Sequence, residues 1–295
     1  MKRWVAILGA VFAFRLLFGL SSEFFFEDET QIFLLGLRYH ATSRWPLFGP
    51  DVVWTQSEIP GALQALLVGV PLKIAPIPEA PFVVLNLLSL TALASLAWYT
   101  CEQLPRAPRW LIWGWFLTIP WTLQFSTHVI NPSYVLPAAV VFFLGFFETV
   151  PAFSLRRLSP PIAHALMGAA LTWIMQIHMS WPLLVPFALV AWLSRRSEGA
   201  AALAVNAAAF CAGALVPGLL LLPTFMQYGP ASRSADSSAP MARSGSSSSS
   251  ATRGSRPPRC SCGSSVCCSR CGCASTRAVQ RVSGQSRCPG RSGES

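Results

Sequence analysis

Residues 4–31 read WVAILGAVFAFRLLFGLSSEFFFEDETQ, an apolar segment followed closely by three adjacent carboxylates at Glu27, Asp28 and Glu29. Residues 4–20 have the length and apolar character of a membrane span. Three carboxylates are too costly to desolvate inside a bilayer, so they must lie in water or in a wet cavity. This junction therefore predicts a first span that leads directly into a polar loop at the membrane surface.

The composition of the whole chain is typical of a polytopic membrane protein. Of its 295 residues, 53% are hydrophobic and 12% are charged, which is about half the charged share of an ordinary soluble domain. Residues 1–230 contain 12 Lys and Arg against 10 Asp and Glu, whereas residues 231–295 contain 10 Arg against 2 acids. The net charge of +10 therefore belongs mostly to the C-terminal part, and it does not indicate a nucleic-acid partner.

A basic start at Lys2 and Arg3 before an apolar segment is also found in signal peptides. Here the apolar segment is long, Arg15 interrupts it, and residues 21–23 do not form a small-residue cleavage site. These features favour a retained first span over a cleaved signal.

Further apolar segments predicted to cross the membrane lie at 82–100, 110–125, 133–147, 162–179, 182–193 and 200–226. Residues 61–74 are shorter, are broken by Pro71 and end near Lys73, which predicts an interfacial or re-entrant segment. Residues 30–39 place apolar side chains at helical spacing, so we expect a short helix lying in the interface.

The positions of the basic residues predict the orientation of these spans. If residues 61–74 do not cross, three short loops with paired arginines at 106/109, 156/157 and 195/196 fall on the same side as Lys2 and Arg3. The positive-inside rule then places that side in the cytoplasm. We therefore predict an all-α, polytopic transmembrane helical bundle of about seven spans in the cell's inner (plasma) membrane. Its N-terminus is cytoplasmic, and the acidic loop at 21–60, with its interfacial helices, is extracytoplasmic.

This topology places several other polar residues on the same side as Asp28. Glu58 lies in the acidic loop, His128 and Asn131 lie in the turn between the third and fourth spans, and His178 lies at the outer end of the fifth. These residues are candidates for binding a substrate. The alternative is that the acids serve only topology and hydration, and that the histidines are amphipathic residues at helix ends; both interpretations remain open at this point.

Residues 229–295 form a different kind of sequence, rich in Ser, Arg and Cys, and this composition predicts a disordered tail. Cys268 and Cys271 have the spacing of a zinc ligand pair, but no second pair or histidine stands at the usual distance, so we predict no metal site. In a GC-rich gene, a one-base frameshift in a segment that encodes a Leu- and Ala-rich helix would produce a Ser-, Arg- and Cys-rich sequence such as this. We therefore expect residues 1–228 to be a truncated membrane region and residues 229–295 to be out of frame.

Four short stretches of the membrane region resemble the GT-C membrane glycosyltransferases, most closely the protein mannosyltransferase and aminoarabinose transferase type. The stretches are Asp28-Glu29, Ile59-Pro60-Gly61-Ala62-Leu63, Asn131-Pro132 and Gln176-Ile177-His178-Met179. The likeness covers roughly residues 4–193. The chain departs from the family's pattern at Ile32, where a tyrosine is usual, and in residues 59–63, which lack a histidine and a second proline.

The resemblance implies transfer of a sugar from a polyprenyl-phosphate donor to an extracytoplasmic lipid, glycan or protein. It assigns Asp28 as the catalytic base and Glu29 as its neighbour, and it leaves a divalent metal ion open as a cofactor. The expected partners are the lipid-linked donor and the membrane, without nucleic acid. The donor sugar, the acceptor and the oligomeric state stay open.

Two other functions are compatible with the sequence. A transporter or flippase-like carrier would use Arg15, proline-broken helices and the membrane histidines to line a substrate path, although no pair of matching broken helices indicates an inverted repeat. A nonfunctional fragment is the third possibility, because GT-C enzymes normally have more spans than these seven.

Overall fold

The computed structural model describes residues 2–22, 26–52 and 57–229 of the chain. All of these residues belong to one compact unit. Apart from Gly229, the predicted tail lies outside the described residues, and so does the cysteine pair at 268 and 271.

The described part is almost entirely helical. Its α-helices are α1 (Lys2–Ser21), α2 (Phe26–Thr42), α3 (Leu63–Ile74), α4 (Ala80–Gln103), α5 (Arg109–Thr118), α6 (Pro120–Thr127), α7 (Val135–Thr149), α8 (Pro160–Met175), α9 (Val185–Leu193), α10 (Ala200–Gly218) and α11 (Leu222–Tyr228). Four single-turn 3₁₀ segments lie at Asn131–Tyr134, Trp181–Leu184, Arg196–Glu198 and Leu219–Leu221. Two short strands, β1 (Phe48–Val52) and β2 (Ser57–Pro60), pair as an antiparallel hairpin between α2 and α3.

The mostly helical structure confirms the predicted helical class. Four helical stretches among the described residues are long and apolar enough to cross a membrane. They are Trp4–Ser21, Ala80–Gln103, Asn131–Thr149 and Ala200–Tyr228. The other three predicted spans are shorter than expected. The helix α8 has 16 residues and α9 has 9, whereas a bilayer core of ~30 Å needs about 20 residues.

The remaining predicted span, at 110–125, is broken into α5 and α6. Ile119 has an extended backbone with ψ of 138°, and Pro120 then opens α6. A proline disfavours the helical conformation in the residue before it and cannot donate the next backbone hydrogen bond. The segment is therefore two short helices with a bend between them.

The predicted interfacial helix at 30–39 is present as part of the longer α2, which packs closely on α3. There is no room for a Cβ atom at Gly36, because Val68 lies against it, and a Cβ at Gly69 would lie 2.7 Å from the Gly36 carbonyl oxygen. The helix α3 also packs on α4, so that its side chains Ala65, Val68 and Leu72 are buried. Residues 61–74 therefore form a core element of the fold, and their glycine contact sets the rotation of α2.

One core cluster joins the ends of several helices. Its buried members come from α2, α3, α4, the 128–134 turn and the segment after α8, and they are Ile32, Leu63, Val68, Leu72, Leu85, Val129, Tyr134 and Ile177. The carboxyl ends of α6 and α8 and the amino ends of α4 and α7 thus lie at the same end of the bundle, and Ser22 after α1 is hydrogen-bonded there to His128. We call it the acidic end, because α2 brings Asp28 and Glu29 to it.

Candidate functional site

Asp28 and Glu29 lie in the first turn of α2, but their surroundings differ. The side chain of Asp28 is exposed, whereas Glu29 is half-buried and its Oε1 atom is enclosed by protein. Carboxylates in a first helical turn are stabilised by the helix dipole, so the acidic run also helps to begin α2. The rotation of α2 thus makes Glu29 the carboxylate of the pair that faces inward.

Glu29 lines a cavity of about 400 Å³ between α2, the start of α4 and the turn before Asn131. The wall includes Thr30 and Phe33 from α2, Phe82 from α4, and Val129. A volume of this size is within the range of small-molecule sites, which combine apolar walls with a few polar groups. The cavity is therefore the candidate functional site, with Glu29 as its ionisable group.

Asn131 begins the turn that borders this cavity, two residues after Val129. Its Oδ1 atom is enclosed and makes no hydrogen bond to the described protein atoms. The same is true of Ser133 Oγ and Tyr134 Oη in the same turn. Buried polar atoms without partners are uncommon and cost about 1–3 kcal/mol each. The turn therefore contributes several polar atoms that are suited to hydrogen bonding with a polar ligand or with ordered water.

Two glutamines extend this group of enclosed polar atoms. Both amide atoms of Gln64 make no hydrogen bond to any described residue. Gln176 uses Nε2 to donate to the Pro217 carbonyl oxygen at 2.8 Å, while its Oε1 accepts none from the described residues. Gln176 also packs against Gly61. Gln64, Ser133 and Tyr134 are not among the site residues predicted from the sequence. Their only signal was a polar group inside an otherwise apolar segment.

His128 has a structural position within the part of the chain that the structure describes. Its Nε2 atom lies 3.0 Å from Ser22 Oγ and 3.1 Å from the Ser22 carbonyl oxygen, and its Nδ1 atom lies 3.1 Å from the Gln124 carbonyl oxygen. Only 1% of the residue is exposed. His128 therefore fastens the end of α1 to the end of α6, and its neighbour Val129 is the residue that reaches the cavity.

Glu58 and His178 lie elsewhere at the acidic end. Glu58 is exposed on β2, opposite Asp51 of β1. His178 is half-buried in the turn after α8, where its Nδ1 atom accepts a hydrogen bond from the Ser180 backbone at 3.1 Å. Neither residue lines the cavity of Glu29. Of the predicted site residues, Glu29 lines the cavity and Asn131 lies two residues from its wall residue Val129, whereas Glu58 and His178 lie outside it.

Arg15 is enclosed by protein on one face of α1. Its Nε atom donates to Asn86 Oδ1 at 3.1 Å, Nη1 donates to the Leu117 carbonyl oxygen at 2.9 Å, and Nη2 donates to Ser126 Oγ at 2.5 Å. Asn86 in turn donates to the Phe12 carbonyl oxygen at 2.9 Å. Arg15 is fully buried, so it does not line an open path, and it ties α1 to α4, α5 and α6.

The described residues contain no group of three His, Cys, Asp or Glu side chains placed to hold a metal ion. No protein-family model matches the chain, and no curated protein or solved structure matches it. The inference of function therefore depends on the residues and the geometry given above.

Proposed function

We propose that the chain is an integral membrane glycosyltransferase that moves a sugar from a polyprenyl-phosphate donor to an extracytoplasmic acceptor. The observation that supports this proposal is the half-buried carboxylate of Glu29, which faces a cavity of about 400 Å³ at the acidic end. A donor with a long lipid tail presents its sugar at the membrane surface, where a span gives way to a polar loop. The cavity lies beside such a junction, between α1 and α2.

The reaction needs a base and a place for the sugar. The acceptor hydroxyl or amine attacks the anomeric carbon, the base takes its proton, and the bond between that carbon and the phosphate oxygen breaks, so that polyprenyl phosphate leaves with the electron pair. A base must first be within reach of the proton that it removes. Glu29 meets this requirement for a ligand in the cavity, because it forms part of the wall.

The resemblance assigns the base to Asp28, and that assignment stays a prediction. The geometry favours the opposite division of roles, since Glu29 faces the cavity while Asp28 is exposed beside it. We therefore propose Glu29 as the base and Asp28 as the neighbouring carboxylate that orients the acceptor. Asn131, whose enclosed Oδ1 accepts no hydrogen bond from the described residues, is the candidate for binding a hydroxyl of the sugar.

The same proposal includes the seven-span topology in the plasma membrane. The four membrane-length stretches supply four of the spans. The bent pair α5 and α6 covers residues 109–127, and α8 and α9 with their adjoining turns complete the set. In this arrangement the N-terminus is cytoplasmic and the acidic end faces the outside.

Turnover of the donor tests the proposal. The chain, and a version with its reading frame restored after residue 229, are purified into lipid nanodiscs and incubated with labelled polyprenyl-phosphate hexoses and pentoses. Release of free polyprenyl phosphate above that of heat-inactivated protein is the expected result for at least one donor. No release from either protein with any donor would overturn the proposal. A carrier would also give no release, but it would move the intact donor between the leaflets of sealed vesicles.

A further inference from the structure

The end of the bundle opposite the acidic end is organised around a buried carboxylate, Glu148. Only 1% of Glu148 is exposed. Its Oε1 atom accepts hydrogen bonds from Tyr99 Oη at 2.8 Å and from the Leu155 backbone at 3.1 Å. Its Oε2 atom accepts from the backbones of Arg157 at 2.8 Å and Leu158 at 3.2 Å. The loop between α7 and α8 is thus wrapped around one internal anion.

This wrapping holds the loop in a conformation that it would not otherwise prefer. Arg156 has a φ of +57°, in the left-handed region that is unfavourable for a residue with a Cβ atom. The hydrogen bonds of Glu148 to the backbone on both sides of Arg156 hold that conformation in place. The backbone amides are used internally, and the side chains of Arg156 and Arg157 are exposed.

Two other segments are bound to this loop. The Phe153 carbonyl oxygen accepts hydrogen bonds from Tyr99 Oη at 3.0 Å and from Gln103 Nε2, both near the end of α4. Arg195, after α9, donates to the carbonyl oxygens of Thr149 at 2.7 Å and Glu148 at 3.2 Å. The loops before α5, after α7 and after α9 therefore lie on one surface of the bundle.

That surface presents exposed guanidinium groups, and two carboxylates form ion pairs on it within the described residues, Glu102 and Glu198, the latter with Arg195 at 2.5 Å. We call it the arginine face and define it by its exposed arginines, Arg106, Arg109, Arg156, Arg157 and Arg196. Glu102 lies 3.8 Å from both Arg109 and Arg157. Those two side chains remain 72% and 56% exposed, so the pairs are weak and leave the guanidinium groups accessible.

Large aromatic side chains surround these arginines. Trp110 is 76% exposed, Phe153 is 48% exposed and Trp98 is 44% exposed, with the Arg157 guanidinium 5.4 Å from a ring centre of Trp98. Tryptophan and tyrosine concentrate at the level of the lipid headgroups, where one part of the side chain contacts apolar lipid and another part contacts water. Aromatic rings beside arginines indicate that this face lies at a membrane surface.

We propose that the arginine face binds the phosphate headgroups of anionic phospholipids in the leaflet that it contacts. A guanidinium group can donate two parallel hydrogen bonds to a phosphate, and clusters of basic residues next to a membrane span attract anionic lipids. The positive charge of the face supplies the attraction, and the loop held by Glu148 supplies the fixed positions. This inference is independent of the proposed glycosyltransferase activity.

The test compares two spin-labelled lipids around the purified full chain in bilayers, one with phosphatidylglycerol and one with phosphatidylcholine headgroups. The expected result is a severalfold higher association constant for phosphatidylglycerol, falling toward equality at high salt because the attraction is electrostatic. The variant with Arg106, Arg109, Arg156 and Arg157 all changed to Gln should lose at least half of the preference. The matched control is Arg38→Gln with Arg44→Gln, two exposed arginines near the carboxyl end of α2 and just after it, which should keep the preference.

A second variant tests whether the loop must be held in place. Glu148→Gln keeps the size of the side chain but weakens the acceptor for the loop amides, so the preference should decrease although every arginine of the face is retained. Equal association of the unaltered chain with both lipids would overturn the proposal. A preference that survives the fourfold arginine change, in protein with an unchanged circular dichroism spectrum, would also overturn it. Binding of an acidic protein at this face without any lipid preference would replace the lipid with a protein partner.

Discussion

Glu29→Gln is expected to lower the initial rate of sugar transfer from a polyprenyl-phosphate donor about a hundredfold, the usual effect of losing a general base. The change keeps the size of the side chain and its place in the cavity wall, but it removes the group that accepts the proton. Affinity for the donor should not fall, because the substitution removes a repulsion between carboxylate and phosphate. The measurement is release of polyprenyl phosphate at saturating and at limiting donor.

Two matched carboxylates control this prediction. Glu58→Gln changes an exposed carboxylate of the hairpin that does not line the cavity, and it should lower the rate less than about threefold. Asp28→Asn should fall between the two, because Asp28 lies beside the cavity in solvent. A hundredfold loss in Asp28→Asn with a near-normal rate in Glu29→Gln would return the base to Asp28, as the family resemblance has it.

Asn86→Leu is expected to destabilise the membrane region by about 3 kcal/mol, because it leaves the enclosed guanidinium of Arg15 without one of its acceptors. Arg15→Met alone should cost less, since it removes the buried charge together with its need for partners. The double variant should then be more stable than Asn86→Leu by itself. Thermal unfolding in detergent measures all three, with Thr91→Val as the control on an exposed face of α4.

Whether the effects of the changes at Arg15 and Asn86 on stability are additive decides this prediction. If Arg15 and Asn86 act as described, the effects of the single changes are strongly non-additive, as expected for groups in one hydrogen-bond network. Additive losses would mean that Asn86 stabilises α1 through its bond to the Phe12 carbonyl oxygen alone. In that case the Arg15 network would not be the link between α1, α4 and α6.

The sequence predicts the helical class well because that class depends on apolar composition alone. The predicted span at 82–100 is found as Ala80–Gln103, and the predicted helix at 30–39 is found within Phe26–Thr42. The segment at 110–125 differs because its apolar residues continue across Pro120, whose effect on the backbone is local and does not show in average hydropathy. The hairpin at 48–60 was not predicted either, since its pairing requires contacts between separated residues.

The sequence predicts the region of the candidate site but not the orientation of its side chains. The run of Glu27, Asp28 and Glu29 marks the region, but it does not show which carboxylate faces inward. That depends on the rotation of α2, which is set by the packing of Gly36 on Val68, a tertiary contact between α2 and α3. The role of His128 as a fastening between α1 and α6 is likewise a tertiary contact.

The proposed topology places the acidic end and the arginine face on opposite sides of a membrane. Labelling by a membrane-impermeant maleimide tests it in a background where all nine native cysteines are changed to serine. New cysteines replace Asp51 and Glu79 at the acidic end and Arg106 at the arginine face, all three exposed. We expect labelling of the first two in intact cells and of the third only after permeabilisation. Labelling of only one of positions 51 and 79 would mean that residues 61–74 cross the membrane, and labelling of all three in intact cells would contradict the separation of the two ends.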